Sequence, residues 1–191
     1  MGALALGLIL FLGAHSAKIF AARWREGVIA RLGPVGWRVG HSVVSLAGFL
    51  LIVFGFAHAG GLAPLYAPPL ALRHLNALFT LIAFILVAAA YVPGNHLKAA
   101  IGHPMVAGVK LWALGHLLAN GTPRDVLLFG AFLLWAVVDF AAARRRDRAA
   151  AVAYPAGGLA GDAGAAAVGI AAWALFAFYL HLRWIGVAPF G

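Results

Sequence analysis

The sequence predicts an all-α integral membrane protein: a bundle of six transmembrane helices, both termini outside, forming one transmembrane domain over residues 1–191. Three observations carry that expectation. Hydrophobic residues make up 64% of the chain and charged residues only 10%, where a soluble domain carries about 25% charged residues. Apolar stretches of about 20 residues, the length that crosses a bilayer, recur along the chain. The basic residues gather in alternate gaps between those stretches.

The first span is read at about residues 2–20. A cleaved signal peptide is the rival there, but the start lacks a positive n-region and its basic residues follow the apolar run. Residues 21–40 mix Arg23, Arg25 and Arg31 with Trp24, Val28, Ile29 and Leu32, which suits a short anchoring helix in the headgroup region. Gly33-Pro34 and Gly36 precede the second span, at about 41–60, and Gly60-Gly61 through Pro68-Pro69 follow it. The third span, about 73–92, closes at Pro93-Gly94, and the fourth, about 103–120, at Asn120-Gly121-Thr122-Pro123. The fifth covers about 125–142 and the sixth about 165–185. Between them, the glycines of 154–164 superficially suggest a nucleotide loop. No strand precedes them and a membrane helix follows, so the stretch reads as a flexible linker.

Fourteen Lys+Arg against five Asp+Glu give a net charge of +9. In a chain this apolar, the excess signals orientation and anionic lipid, and no basic face is left over for nucleic acid. Arg23, Arg25, Arg31 and Arg38, then Lys98, then Arg144, Arg145, Arg146 and Arg148 share one side. The positive-inside rule therefore places the 21–40, 93–102 and 142–164 loops in the cytoplasm. Arg73, Arg124 and Arg183 fall on the other side, and Lys18 and Lys110 lie within spans. The absence of cysteine removes disulfides, thiolate zinc sites, cysteine-ligated haem and iron–sulfur clusters, and cysteine nucleophiles.

Eight histidines stand out, because ionisable groups at membrane depth are costly and usually functional. His41 and His96 read as interfacial residues hydrogen-bonded to headgroups, water or helix ends. His15 and His116 lie inside their spans, where an unpartnered imidazole would leave a polar group in hydrocarbon. Two neutral imidazoles from different helices are a standard way for a helical bundle to grip a b-type haem; interhelical hydrogen bonding, worth about 1 kcal/mol, is the bland alternative. No C-x-x-C-H run exists, which excludes c-type haem. His103 and His116 point more than about 120° apart on one helix and cannot serve one site. Trp112 and Ala113 share the His116 face, and Trp112 is taken as a cofactor-contacting residue beside bundle packing as the alternative. Lys110 needs a counter-charge, from a haem propionate or Asp139, unless it snorkels.

The stretch Gly102-His103-Pro104-Met105-Val106-Ala107-Gly108-Val109-Lys110-Leu111-Trp112-Ala113-Leu114-Gly115-His116, continuing to Gly121, resembles the NnrU family of bacterial membrane proteins. Supporting segments are Leu12-Gly13-Ala14-His15-Ser16, Ser42 through Gly48, Leu72-Arg73-His74-Leu75 and Tyr91-Val92-Pro93-Gly94. The resemblance covers most of the chain and implies a multi-pass protein of the bacterial inner membrane. The same signature occurs in the zeta-carotene isomerase of plants and cyanobacteria, a haem b enzyme. Carried over by motif, its essential histidines fall on His15 beside Ser16, on His58, matched only approximately in spacing, and on His116. The resemblance thus implies non-covalent haem b with His15 and His116 as axial ligands and His58 as an auxiliary one. It implies a role in nitrite and nitric oxide metabolism or in carotenoid-type cis–trans isomerisation, with nitric oxide or a hydrophobic small molecule as ligand. A haem-dependent isomerase and a non-catalytic haem-bearing assembly or sensor subunit, bound to another membrane protein, both remain open.

Two departures weigh on the carry-over. Ala113 stands where the isomerase has a cysteine as an alternative iron ligand. The spans also put His15 and His116 at different depths, by about 12 Å at about 1.5 Å per residue, which makes His58, His74, His116 and His181 a rival ligand pool. A membrane methyltransferase reading of His103-Pro104 is weaker, because Asp139 through Asp147 contains no glutamate pair.

Overall fold

The computed structural model describes residues 1–190. Among them the regular structure is helical throughout: α1 (Gly2–Phe20), α2 (Ala22–His58), α3 (Leu70–Tyr91), α4 (His96–Ile101), α5 (Pro104–Ala119), α6 (Pro123–Ala149), α7 (Leu159–Leu175), a π-helical turn (Phe176–Leu180) and α8 (His181–Ile185). Five helical stretches are long and apolar enough to cross a membrane: α1, α2, α3, α6, and α7 continued to Ile185. The fourth expected span is α5, a shorter apolar helix of 16 residues. At about 1.5 Å per residue it falls short of a hydrocarbon core about 30 Å thick.

Two readings of the chain need correction. The anchoring segment and the second span form one helical run, broken only at Gly33, where φ is 73° and ψ 168°. Pro34 then restarts the helix, which needs no amide donor in its first turn, so the second span's helix begins well before residue 41. The glycine-rich stretch is also no free linker. The Gly158 N–H donates to the Gly94 carbonyl at 2.8 Å, and α7 begins at Leu159. Asp162, in its first turn, accepts from the His96 N–H at 2.7 Å and from the His96 ring at 2.6 Å. Polar partners far away in sequence hold this segment, and local composition carries no trace of them.

The helices neighbour one another in the order α2, α1, α6, α5, α3, α7. Glycines set the closest approaches. A Cβ on Gly7 would lie 2.6 Å from the Ile52 backbone nitrogen, and one on Gly48 would lie 2.7 Å from that of Phe11, so α1 and α2 meet backbone to backbone, as small residues allow in membranes. Gly108 does the same for α5 against α3, where a Cβ would meet the Ala83 carbonyl at 2.8 Å. The core is Leu4, Leu8, Ile52, Leu128 and Phe129, with Phe11, Trp112 and Phe132 packed against it.

The α6 start is fixed by a buried carboxylate: Asp125 accepts from the Thr122 N–H at 3.1 Å and from the Thr122 hydroxyl at 2.5 Å. Tyr66 ties the preceding loop down by donating to the Leu117 and Asn120 carbonyls. Replacing Asp125 with alanine is expected to cost about 1–2 kcal/mol, the loss typical of a helix cap, read as a lower thermal midpoint in detergent.

Candidate functional site

Four histidines share one local arrangement. The Nδ1–H donates to a backbone carbonyl in His15 (Phe11, 2.7 Å), His58 (Phe54, 2.8 Å), His116 (Trp112, 2.9 Å) and His181 (Val187, 2.6 Å). A carbonyl only accepts, so Nδ1 carries the proton and, in the neutral ring, Nε2 keeps its lone pair. That is how metal-binding imidazoles are commonly oriented. Three of the four carbonyls belong to the residue one helical turn earlier, so this preparation is local to the helix. What surrounds each Nε2 is decided by the fold.

His15 lies at the arginine-rich end of α1. Its ring stacks on Phe11 at 4.3 Å and meets His41 of α2 edge-on at 4.9 Å and Trp135 of α6 at 6.1 Å. Two adjoining cavities open here. One, of about 420 Å³, is apolar and runs between α1 and α2 past Trp24, Val28, Leu32, Trp37, His41 and Val44. The other, of about 290 Å³, is lined by His15, His41, Lys18, Arg25, Arg38 and Ser42. They share Ala14, Ala17, Trp37 and His41. Two imidazoles therefore stand where an apolar slot meets a cationic rim.

His116 lies elsewhere. Its ring stacks on Phe129 at 4.7 Å and contacts Trp112 at 5.4 Å, and it lines a third cavity, of about 180 Å³, with Arg73, Asn76, Thr80, Trp173 and His181. Phe11, Phe132 and Trp112 stand between the two histidines in a run of ring contacts of 5.8 and 5.5 Å. The His116 cavity has no lining residue in common with the two around His15. The structure therefore brings His15 to His41 and His116 to His181, and does not bring His15 to His116. His58 stacks on Phe54 at 4.1 Å and is exposed at the end of α2. Among the described residues no group of three or more His, Cys, Asp or Glu side chains is placed to hold a metal.

Depth alone groups His181 with His116, which share a cavity, but leaves His41 as an interfacial residue. The periodic signal that would have found His41 is Trp37-His41-Ser45, one face of α2 at four-residue spacing; knowing that α2 lies on α1 is what gives that face a partner. For His181 the signal is weaker, because a π-helical turn just before it shifts the helix face.

The remaining polar groups are structural ties. The His103 ring donates from Nε2 to Asp147 at 2.7 Å, and the Tyr154 hydroxyl donates to the same oxygen at 2.7 Å. Burial, followed by this bond to Asp147, holds the Tyr154 phenol above its ordinary value. Its contribution to stability is full below pH 10.0, the ordinary phenol value, and is lost as pH rises through the elevated one. Tyr154→Phe is expected to cost about 1 kcal/mol and to remove that alkaline loss, as measured by melting at pH 8 and above pH 10. Lys110 places its ammonium 3.8 Å from the centre of the Phe140 ring, while Asp139 lies 3.9 Å from Arg146; an aromatic face takes the place of the counter-charge expected from Asp139.

A family model described as NnrU protein matches residues 3–189. No curated protein and no solved structure matches the chain.

Proposed function

The chain belongs to the NnrU family, and on that premise we propose that it is a haem b-binding membrane protein whose iron is held at His15 and His41, between α1 and α2. The observation that carries the reading is the join of an apolar slot of about 420 Å³ to a rim holding Lys18, Arg25 and Arg38, with both imidazoles at the junction. This chemistry suits a flat apolar ring bearing two carboxylates. The donor set is also suitable: His15 is locked by Phe11 with Nε2 unprotonated, and a neutral imidazole is the form that binds iron. By contrast, the cavity at His116, about 180 Å³, has less than half the volume of the slot beside His41, about 420 Å³, which favours the slot for a large flat ligand. That preference sets His41 above His116 as the partner of His15.

Bound there, haem would supply a redox-active iron able to exchange a ligand. The residues around it do the rest. Phe11 and Trp135 fix the His15 ring in place. Arg25 and Arg38 would pair with carboxylates, and Trp24, Val28 and Leu32 would give the ring an apolar wall. Imidazole nitrogens sharing one metal are about 4 Å apart, from two bonds of about 2.0 Å, and rings facing each other across it are farther apart than the 4.9 Å seen here. At 4.9 Å the two rings leave no room for iron between them, so one ring would have to rotate before both could hold it, and without that rotation His15 alone would be the ligand.

The apolar slot favours ligands that arrive through the lipid, a long polyene or nitric oxide. Isomer conversion of an added cis-carotenoid under reducing conditions would make the protein a haem-dependent isomerase; nitric oxide binding without conversion would make it a sensor or assembly subunit. The test of the haem reading itself is a reduced-minus-oxidised spectrum of protein purified from haem-replete cells, and a colourless, iron-free preparation would defeat it.

A further inference from the structure

The cavity at His116 carries polar groups that this reading leaves unused, and we propose that it binds a small acid: an oxyanion group on Arg73, with a hydrogen-bond donor two or three bonds away for His116 or His181. The size sets the first limit. About 180 Å³ is below the roughly 300 Å³ at which pockets for drug-sized ligands begin, so the ligand is a small one.

The wall sets the chemistry. Arg73 lines the cavity, and no ion pair is made by its guanidinium among the described residues. The acceptors there lack donors. Both ring Nδ1–H groups are spent on carbonyls, which leaves the Nε2 lone pairs of His116 and His181. The Asn76 Oδ1 also lacks a hydrogen-bond partner, but it is packed against Gly115, where a Cβ would lie 2.5 Å from it, and so is out of reach from the cavity. Trp173 donates to the Thr80 hydroxyl at 3.2 Å, which itself donates to the Ala77 carbonyl at 3.0 Å, so those two donors are consumed within the wall. One cation, itself exposed at the edge of the cavity, and two unpaired ring acceptors suit an anion that also carries an O–H or N–H. A bare anion would leave the ring lone pairs unused, and a neutral alcohol would not use the guanidinium.

The C-terminal segment builds the site. The π-helical turn at Phe176–Leu180 precedes His181; such insertions frequently accompany functional positions. Gly186, at φ 79°, turns the chain back, so that the Val187 carbonyl orients the His181 ring. Phe190 then stacks on Phe178 at 5.2 Å and contacts Trp173 at 6.1 Å, closing the cavity beside Pro189.

The same chemistry is available from a free short hydroxy acid or from a lipid headgroup that combines phosphate with hydroxyls. Glycolate and acetate are the probes for the first, titrated by calorimetry into the purified full chain in detergent. Glycolate is expected to bind, with acetate, which lacks the hydroxyl, about tenfold weaker. Arg73→Gln is expected to weaken glycolate binding by about tenfold or more at an unchanged melting midpoint, and His181→Ala to erase the preference for glycolate. For the second source, reconstitution into phosphatidylglycerol but not phosphatidylcholine nanodiscs would block glycolate, through Arg73, and would equally support the site. Failure of both glycolate and phosphatidylglycerol to engage Arg73 overturns the proposal. So does loss of the haem spectrum in His116→Ala, which would put that imidazole on iron. A preparation without haem defeats the earlier reading and leaves this one standing.

Discussion

Alanine at position 15 is expected to abolish the haem absorbance of the purified protein, while alanine at position 116 leaves it in place. The contrast follows from the separation of the two rings by Phe11, Phe132 and Trp112 and from the difference in the cavities beside them. His15→Ala also removes a stacking contact with Phe11 and an edge contact with His41, so loss of colour could come from disordered packing. External imidazole separates the causes: it fills the space left by the side chain and restores the spectrum if a ligand was lost, and does nothing if the helices have parted. His41→Ala is expected to shift the absorbance bands and raise affinity for exogenous ligands, because one axial position would stand open. An unchanged spectrum in His15→Ala would end the assignment.

A leucine at Gly48 is expected to give the largest loss of stability. The Cβ alone would lie 2.7 Å from the Phe11 nitrogen and 3.1 Å from the Gly7 carbonyl oxygen, and both are backbone atoms that no rotamer change moves. Overpacking of this kind costs about 1–3 kcal/mol. Here α1 must also back away from α2, which opens the slot that those two helices form. The variant should therefore melt earlier and lose haem together. Gly130→Ala is the control. A Cβ there meets nothing within 4 Å, and replacing a mid-helix glycine with alanine is worth about 0.5–1 kcal/mol of added stability. If Gly48→Leu melted like Gly130→Ala, the close crossing of α1 and α2 would be disproved.

Five of the six expected spans were legible because hydropathy and punctuation are local. Gly33-Pro34, Pro69, Pro93-Gly94 and Thr122-Pro123 each lie at or beside a helix boundary or break. A spacing of four residues was also enough to set Trp112 beside His116. The pairing of the intramembrane histidines was not legible. Depth can be counted along one helix, but which helix stands opposite depends on the order α2, α1, α6, α5, α3, α7, which no periodicity encodes. The same gap hid the His96–Asp162 and His103–Asp147–Tyr154 ties, whose members come from different segments and which turn an apparently loose loop into a clamped one.

The helix order has a mechanical consequence. α2 packs on α1, with Arg124 of α6 reaching the Phe56 carbonyl at one end, 3.2 Å away, and α1 in turn meets α6. The first two helices thus form a pair held to the rest of the bundle through α6. A displacement of that pair against α6 would carry the slot between them as one piece, while the chamber beside Arg73 would stay with the other half of the molecule.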